Sequence, residues 1–255
     1  MLMDNVLQAA EPYLQDRTIK DFLIGLSLIA CELDNGDVGV AYVLREELAR
    51  GCSRFPIYQD ILGRSALEIA RLSVEGTDAL QRGAAVSVLT AAAQQQDIPA
   101  DNARSLFGIA FQPHDRVAMI GLIAPLAKKI ATDVKNLIIF DKGLPLDDKN
   151  TSLTPMEMQA EILPTCDIVL ISGSATINNS IDSLLDLCSQ AREVVLMGPS
   201  TPMFPPGYRG SRITRLAGSF WARGHKKEIF KAVSLAGGHG MIDEYMQKKM
   251  VVVGF

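Results

Sequence analysis

Four apolar runs in the second half of the chain constrain the fold more than anything else: RVAMIG (116–121), NLIIFD (136–141), DIVLIS (167–172) and EVVLMG (193–198). They are rich in β-branched residues and lack the polar alternation of a half-exposed strand, so both faces of each must be buried. Helical patterns separate them. PLAKKIATDV has Pro125 placed for a first turn, Thr154-Pro155-Met156-Glu157 reads as a capping box ahead of MEMQAEIL, and SIDSLLDLCSQA follows the third strand. Apolar strands joined by helices make a parallel sheet through right-handed crossovers, a Rossmann-like arrangement. A strand over RITRLAG (212–218), a charged helix HKKEIFKAVSLA and a terminal strand MVVVGF complete it.

The first hundred residues follow another grammar. Residues 3–15 space Val6, Leu7, Ala10 and Leu14 as one face of a short helix. FLIGLSLIACEL and VGVAYVL then flank Asp34-Asn35-Gly36-Asp37, which predicts an antiparallel hairpin. A loop, RGCSRFPIYQD, leads to two helices, LGRSALEIARLSV and TDALQRGAAVSVLTAAAQQQ. The expected fold class is α/β: a C-terminal Rossmann-like parallel sheet preceded by a smaller α+β domain of hairpin and helices. The polar segment DIPADN (97–102) marks the boundary, giving domains 1–102 and 103–255.

Bulk properties remove several function classes. A net charge of −4 gives no reason to expect nucleic acid or an anionic membrane surface as partner. No apolar run approaches the roughly 20 residues of a membrane span, and Asp4 and Glu11 interrupt any leader pattern, so a soluble cytoplasmic protein is expected. Cys31, Cys52, Cys166 and Cys188 form no CxxC pair and read as small buried hydrophobes. His114, His225 and His239 show no metal-ligand spacing, so no protein-borne metal site is expected. The apolar terminal strand leaves room for edge pairing in a homo-oligomer.

Ligands of open parallel sheets bind beyond the carboxyl ends of the strands, where the strand order reverses. Those ends here carry Gly121, Asp141, the tail Gly173-Ser174-Ala175-Thr176-Ile177-Asn178-Asn179, and Gly198-Pro199-Ser200-Thr201. With order 2-1-3-4 the third tail overhangs the crevice. Its glycine admits close approach and its hydroxyls and amides offer directional bonds. Asn179 and Ser180 are expected to cap the next helix. Gly121, Gly173, Ser174, Thr176, Asn178, Gly198, Ser200 and Thr201 are the expected substrate contacts, with backbone N–H groups near Gly173 and Gly198 holding an anion. Asp141 or His239 is the candidate general acid or base, joined by Glu32 from the N-terminal domain, with Glu46 and Glu47 as equals to Glu32. Asp141 lies about 20 residues after Gly121, where an acidic side chain would bind a ribose. The turn GLIAP lacks the glycines a pyrophosphate needs, which argues against NAD and FAD and leaves S-adenosylmethionine open. The cofactor is therefore left unassigned.

SGSATINNSIDSLL and VVLMGPSTPMFP, with VAMIG and FDKG before them, resemble the bacterial and archaeal heavy-metal chelation protein family over the full length. Ser172 and Ser180 stand where threonines are common in that family, and both keep a hydroxyl. The resemblance implies an enolase-N-terminal-like domain before a Rossmann-like domain, a site in the cleft between them, and a link to metal homeostasis. The expected function is an enzyme acting by condensation or hydrolysis on a polar, carboxylate-bearing compound (pterin-, flavin-precursor- or metallophore-like). The alternatives are a non-catalytic binding protein for a metal–chelate complex and an S-adenosylmethionine-dependent enzyme.

Overall fold

The computed structural model describes residues 1–48, 55, 59–101, 106–144 and 152–254. Cys52, most of the loop RGCSRFPIYQD and the last residue of the segment 97–102 lie outside them. The N-terminal half contains α1 (Leu2–Leu14), β1 (Ile19–Ile24), β2 (Leu28–Leu33), β3 (Val38–Tyr42), α2 (Ala66–Glu75) and α3 (Ala79–Ala92). The three strands form one antiparallel sheet in the order β1-β2-β3. FLIGLSLIACEL is thus two strands rather than one: it turns at Gly25, whose N–H donates to Leu28 O at 2.8 Å. The apolar Leu26, exposed at that turn, hides the break from a hydrophobicity reading.

The small sheet is packed on both faces. At Gly39 an added Cβ would stand 2.0 Å from Ser87 O and 2.3 Å from Ala91 N, so β3 lies directly on α3. On the opposite face Leu28, Ala30, Val38 and Val40 cluster with Ile229, Phe230 and Val233 of α7 (Lys226–Ser234), an element supplied by the C-terminal half.

That half adds β4 (Arg116–Ile120), α4 (Ala124–Asp133), β5 (Asn136–Phe140), α5 (Gln159–Ile162), β6 (Ile168–Ser172), α6 (Ile181–Leu187), β7 (Glu193–Met197), β8 (Arg215–Trp221), α7 and β9 (Met246–Val252). The sheet order is β5-β4-β6-β7-β8-β9. All pairings are parallel except β8 with β9, where the terminal strand returns antiparallel. Alternate residues of the central strands enter different cores. Val117, Met119, Ile168, Leu170, Val195 and Met197 pack with Ala127 and Ile130 of α4. Ala118, Ile120, Val169, Ile171, Val194 and Leu196 join α6 and the buried face of α1. Burial on both sides is the physical reason those strands are continuously apolar.

The capping box over 154–157 is not formed. Thr154 N–H instead donates to Ile139 O at 2.8 Å, extending the edge of β5, and the helix begins as a 3-10 turn at Met156 with no side-chain cap. The outer edge of β9 is met by the chain itself through an Ala100–Lys249 bridge. Among the described residues no helix is long and apolar enough to cross a membrane.

Candidate functional site

The order of the parallel strands reverses around β4, with β5 on one side and β6 on the other. A cleft of about 350 Å³ opens at the carboxyl ends of these three strands. Gly121 and Asp141 line it from β4 and β5, Ser172, Ser174, Asn178 and Ser180 from the β6 tail, and Leu44, Glu46 and Glu47 from the segment after β3. Both halves of the chain therefore contribute walls.

Local chemistry fixes each wall. Gly121 turns the chain with φ +86°, and a Cβ there would meet Ser172 Cβ at 2.7 Å, so glycine is required twice over. Asp141 accepts from Leu122 N–H at 2.7 Å and Gly143 N–H at 2.9 Å, clamping the turns after β4 and β5 together. Ser172 and Ser174 hydroxyls share a bond of 3.1 Å. Asn178 Oδ1 accepts from Ser180 N–H at 3.2 Å and Ser180 Oγ at 2.7 Å. The start of α6 is thus shaped by Asn178 rather than by a cap from Asn179 or Ser180; Asn179 takes φ 59° and the Ser180 side chain makes no cap bond. At the rim Lys142 donates to Glu47 at 2.5 Å, while none of the described residues forms an ion pair with Glu46. Among the described residues the lining carries three carboxylates, Glu46, Glu47 and Asp141, and one lysine.

Of the residues expected in the site, Gly121, Asp141, Ser174, Asn178, Glu46 and Glu47 come together in this cleft. The others do not line it. Gly173 serves contact between two loops: a Cβ would lie 2.6 Å from the carbonyl carbon of Ser200. Thr176 is fully buried and donates to Gly173 O at 2.8 Å. Ser200 is buried and its hydroxyl accepts Tyr42 N–H at 2.9 Å, tying the β7 tail to β3. Thr201 is buried beside it, its hydroxyl without a hydrogen-bond partner among the described residues. Gly198 makes the turn with φ +101°. The β7 tail therefore closes off an anion cradle at Gly173, and the Gly198 N–H is already donated to Ala217 O at 2.9 Å.

The other acid–base candidates lie elsewhere. Glu32 is buried on β2 and held by Lys20 at 2.8 Å and Lys226 at 3.3 Å. His239 sits edge-on to Trp221, centroids 6.0 Å apart, where burial pushes its pKa below the usual imidazole value. Ser172, Lys142 and Gln159 line the cleft without having been singled out as contacts. For Ser172 and Lys142 the available signal was their position as the last residue of one strand and just beyond another.

Among the described residues no group of three or more His, Cys, Asp or Glu could hold an ion. Cys31, Cys166 and Cys188 are buried, and burial pushes all three thiols up, Cys188 to about 12.

A three-stranded antiparallel sheet packed beside a six-stranded, mostly parallel sheet defines a two-part α/β protein of Rossmann-like type. The sequence profile of DUF364, described as "Putative heavy-metal chelation", matches residues 106–252, and that of DUF4213, with the same description, matches residues 7–93. The chain belongs to the DUF364 family. It is 24% identical over 183 residues to an uncharacterized protein of Methanocaldococcus jannaschii, covering 71% of this chain and 68% of that one. A DUF364 protein of unknown function from Pyrococcus horikoshii superposes with a TM-score of 0.82 at 22% identity, covering 99% of this chain and 100% of the other. A second, from Desulfitobacterium hafniense, gives 0.79 at 18% identity with 98% of each chain covered.

Proposed function

We propose that the cleft at the β4–β5–β6 ends binds a small, polar, metal-chelating organic compound as its metal complex. One observation carries this: both halves of the chain line one hollow with hydroxyls, two amides (Asn178 and Gln159) and, among the described residues, a surplus of carboxylates. Among the described residues three carboxylates face one lysine, and that lysine already pairs with Glu47. A free polycarboxylate would be repelled here, whereas a chelate whose charge is offset by its metal, with hydroxyl or amine groups on its exterior, is accommodated. The metal arrives as cargo.

Binding is preferred to catalysis because the candidate acid–base groups already have structural partners. Asp141 holds two backbone N–H groups and Glu47 holds Lys142. Enzymatic condensation or hydrolysis of a polar, metallophore-like compound remains the second reading, favoured by Glu46, an exposed carboxylate that lines the cleft beside Gly143.

Mass spectrometry combined with elemental analysis of small molecules co-purifying with the protein tests both. An organic ligand carrying a transition metal is expected, with recovery reduced roughly tenfold in Asn178→Ala by loss of a buried polar contact. Equal recovery from both proteins would remove the cleft as the site. Turnover of the recovered compound that is abolished in Glu46→Gln, with binding retained, would establish the enzymatic reading.

A further inference from the structure

Asn178 reaches the cleft from a short segment whose anchorage lies in the other half of the chain. Ile177, its neighbour, is fully buried and packs into a cluster with Ala41, Leu44, Ala79 and Val86 of the N-terminal half. A carbonyl on a residue this deeply inserted costs free energy unless bonded. Arg82 of α3 meets that need: its Nε–H donates to Ile177 O, and its Nη1 donates to Gly76 O at 2.9 Å. The guanidinium is half-buried and bonded at two separated points, so it acts as a rigid strut. The carbonyl it grips belongs to the peptide linking Ile177 to Asn178, so the plane of that peptide sets the direction in which Asn178 leaves the backbone. Asn178 N–H is held from the other side by Ser174 O at 3.2 Å. Burial pushes the Arg82 pKa below its usual value, opposed by the charges of Asp78 and Glu47, and Glu47 also holds Lys142 on the β5 side of the same cleft.

We infer that Arg82 is a positioning residue, setting the orientation of the Asn178 side chain in the cleft through the Ile177 carbonyl. This rests on the cleft being the binding site, but its test does not. In ¹⁵N–¹H spectra of the full chain, the Asn178 side-chain amide pair is identified by its disappearance in Asn178→Ala. The indole signal of Trp221, the single tryptophan, reports on β8 and a core cluster separate from that of Ile177. Arg82→Ala is expected to shift the Asn178 pair and the Ser180 N–H while leaving the indole in place, and Arg82→Lys, a point donor without the fork, to recover part of the shift. Should Arg82→Ala not fold, Arg82→Gln carries the same comparison.

An Asn178 pair unmoved in the folded variant, or one that moves only together with the indole, overturns the inference. A shifted pair alongside unchanged ligand recovery in Asn178→Ala would uphold the positioning role and refute the binding site. Reduced recovery with an unmoved pair would do the reverse.

Discussion

Replacing Gly173 with alanine separates two meanings of a glycine at the end of a β-strand. An added methyl would stand 2.6 Å from the carbonyl carbon of Ser200, 2.7 Å from its oxygen and 2.8 Å from Thr201 N. All three are backbone atoms, so no side-chain rotation relieves the overlap and one loop must move. Overpacking of this kind costs about 1–3 kcal/mol. The loop that moves carries Ser200, whose hydroxyl accepts Tyr42 N–H at 2.9 Å, so a bond worth about 1 kcal/mol net is strained as well. Gly173→Ala is therefore expected to lose about 2–4 kcal/mol. Urea denaturation followed by circular dichroism reads this directly, with a midpoint shift at unchanged slope. A loss below about 0.5 kcal/mol, within the range of an ordinary surface substitution, would refute the packing role. If stability held while ligand recovery fell, the glycine would be serving a ligand instead.

Three further outcomes are expected. Ser200→Ala leaves the Tyr42 N–H without its acceptor at the junction of the two halves and should cost about 1–3 kcal/mol in the same denaturation assay. Asp115 is held below the usual carboxylate range chiefly by its hydrogen bonds from the Arg192 guanidinium, at 2.8 and 2.7 Å. Its contribution is thus fully present above the unfolded carboxylate value and is lost as pH falls through the lower folded one. Wild type should therefore lose more stability than Asp115→Asn on acidification through that window, and parallel acid-denaturation curves would contradict the pairing. Cys31, Cys166 and Cys188 should resist iodoacetamide at pH 8 until the protein is unfolded, because buried thiols with raised pKa values present little thiolate; peptide mapping would show the labelling.

The parallel sheet was legible because burial on two faces leaves a direct mark, the unbroken apolar run. The hairpin region was legible only in part. Asn35-Gly36 announces its turn, but the Gly25 turn carries exposed Leu26 and looks like strand interior. Thr154 reads as a cap by residue type, yet its backbone finds the free edge of β5, a choice decided by tertiary position. The cleft shows the same division. That polar tails gather at strand ends is written in the sequence. Which tail faces a void and which is pressed against the N-terminal half depends on how α3 and β3 dock, and no local spacing records that. Gly121 and Gly173 look equivalent as strand-end glycines, yet one lines the cleft and the other lies against Ser200. Glu32 is indistinguishable by residue type from Glu46; Lys20 and Lys226 consume the first, while the second reaches the rim.

The most direct measurement is a crystal structure of the protein as purified from cells, with no ligand added. Electron density for a bound small molecule is predicted between Gly121, Ser174 and Asn178, within reach of Glu46. A bound molecule seated instead beside His239 and Trp221, or beside Glu32, would contradict the proposed site.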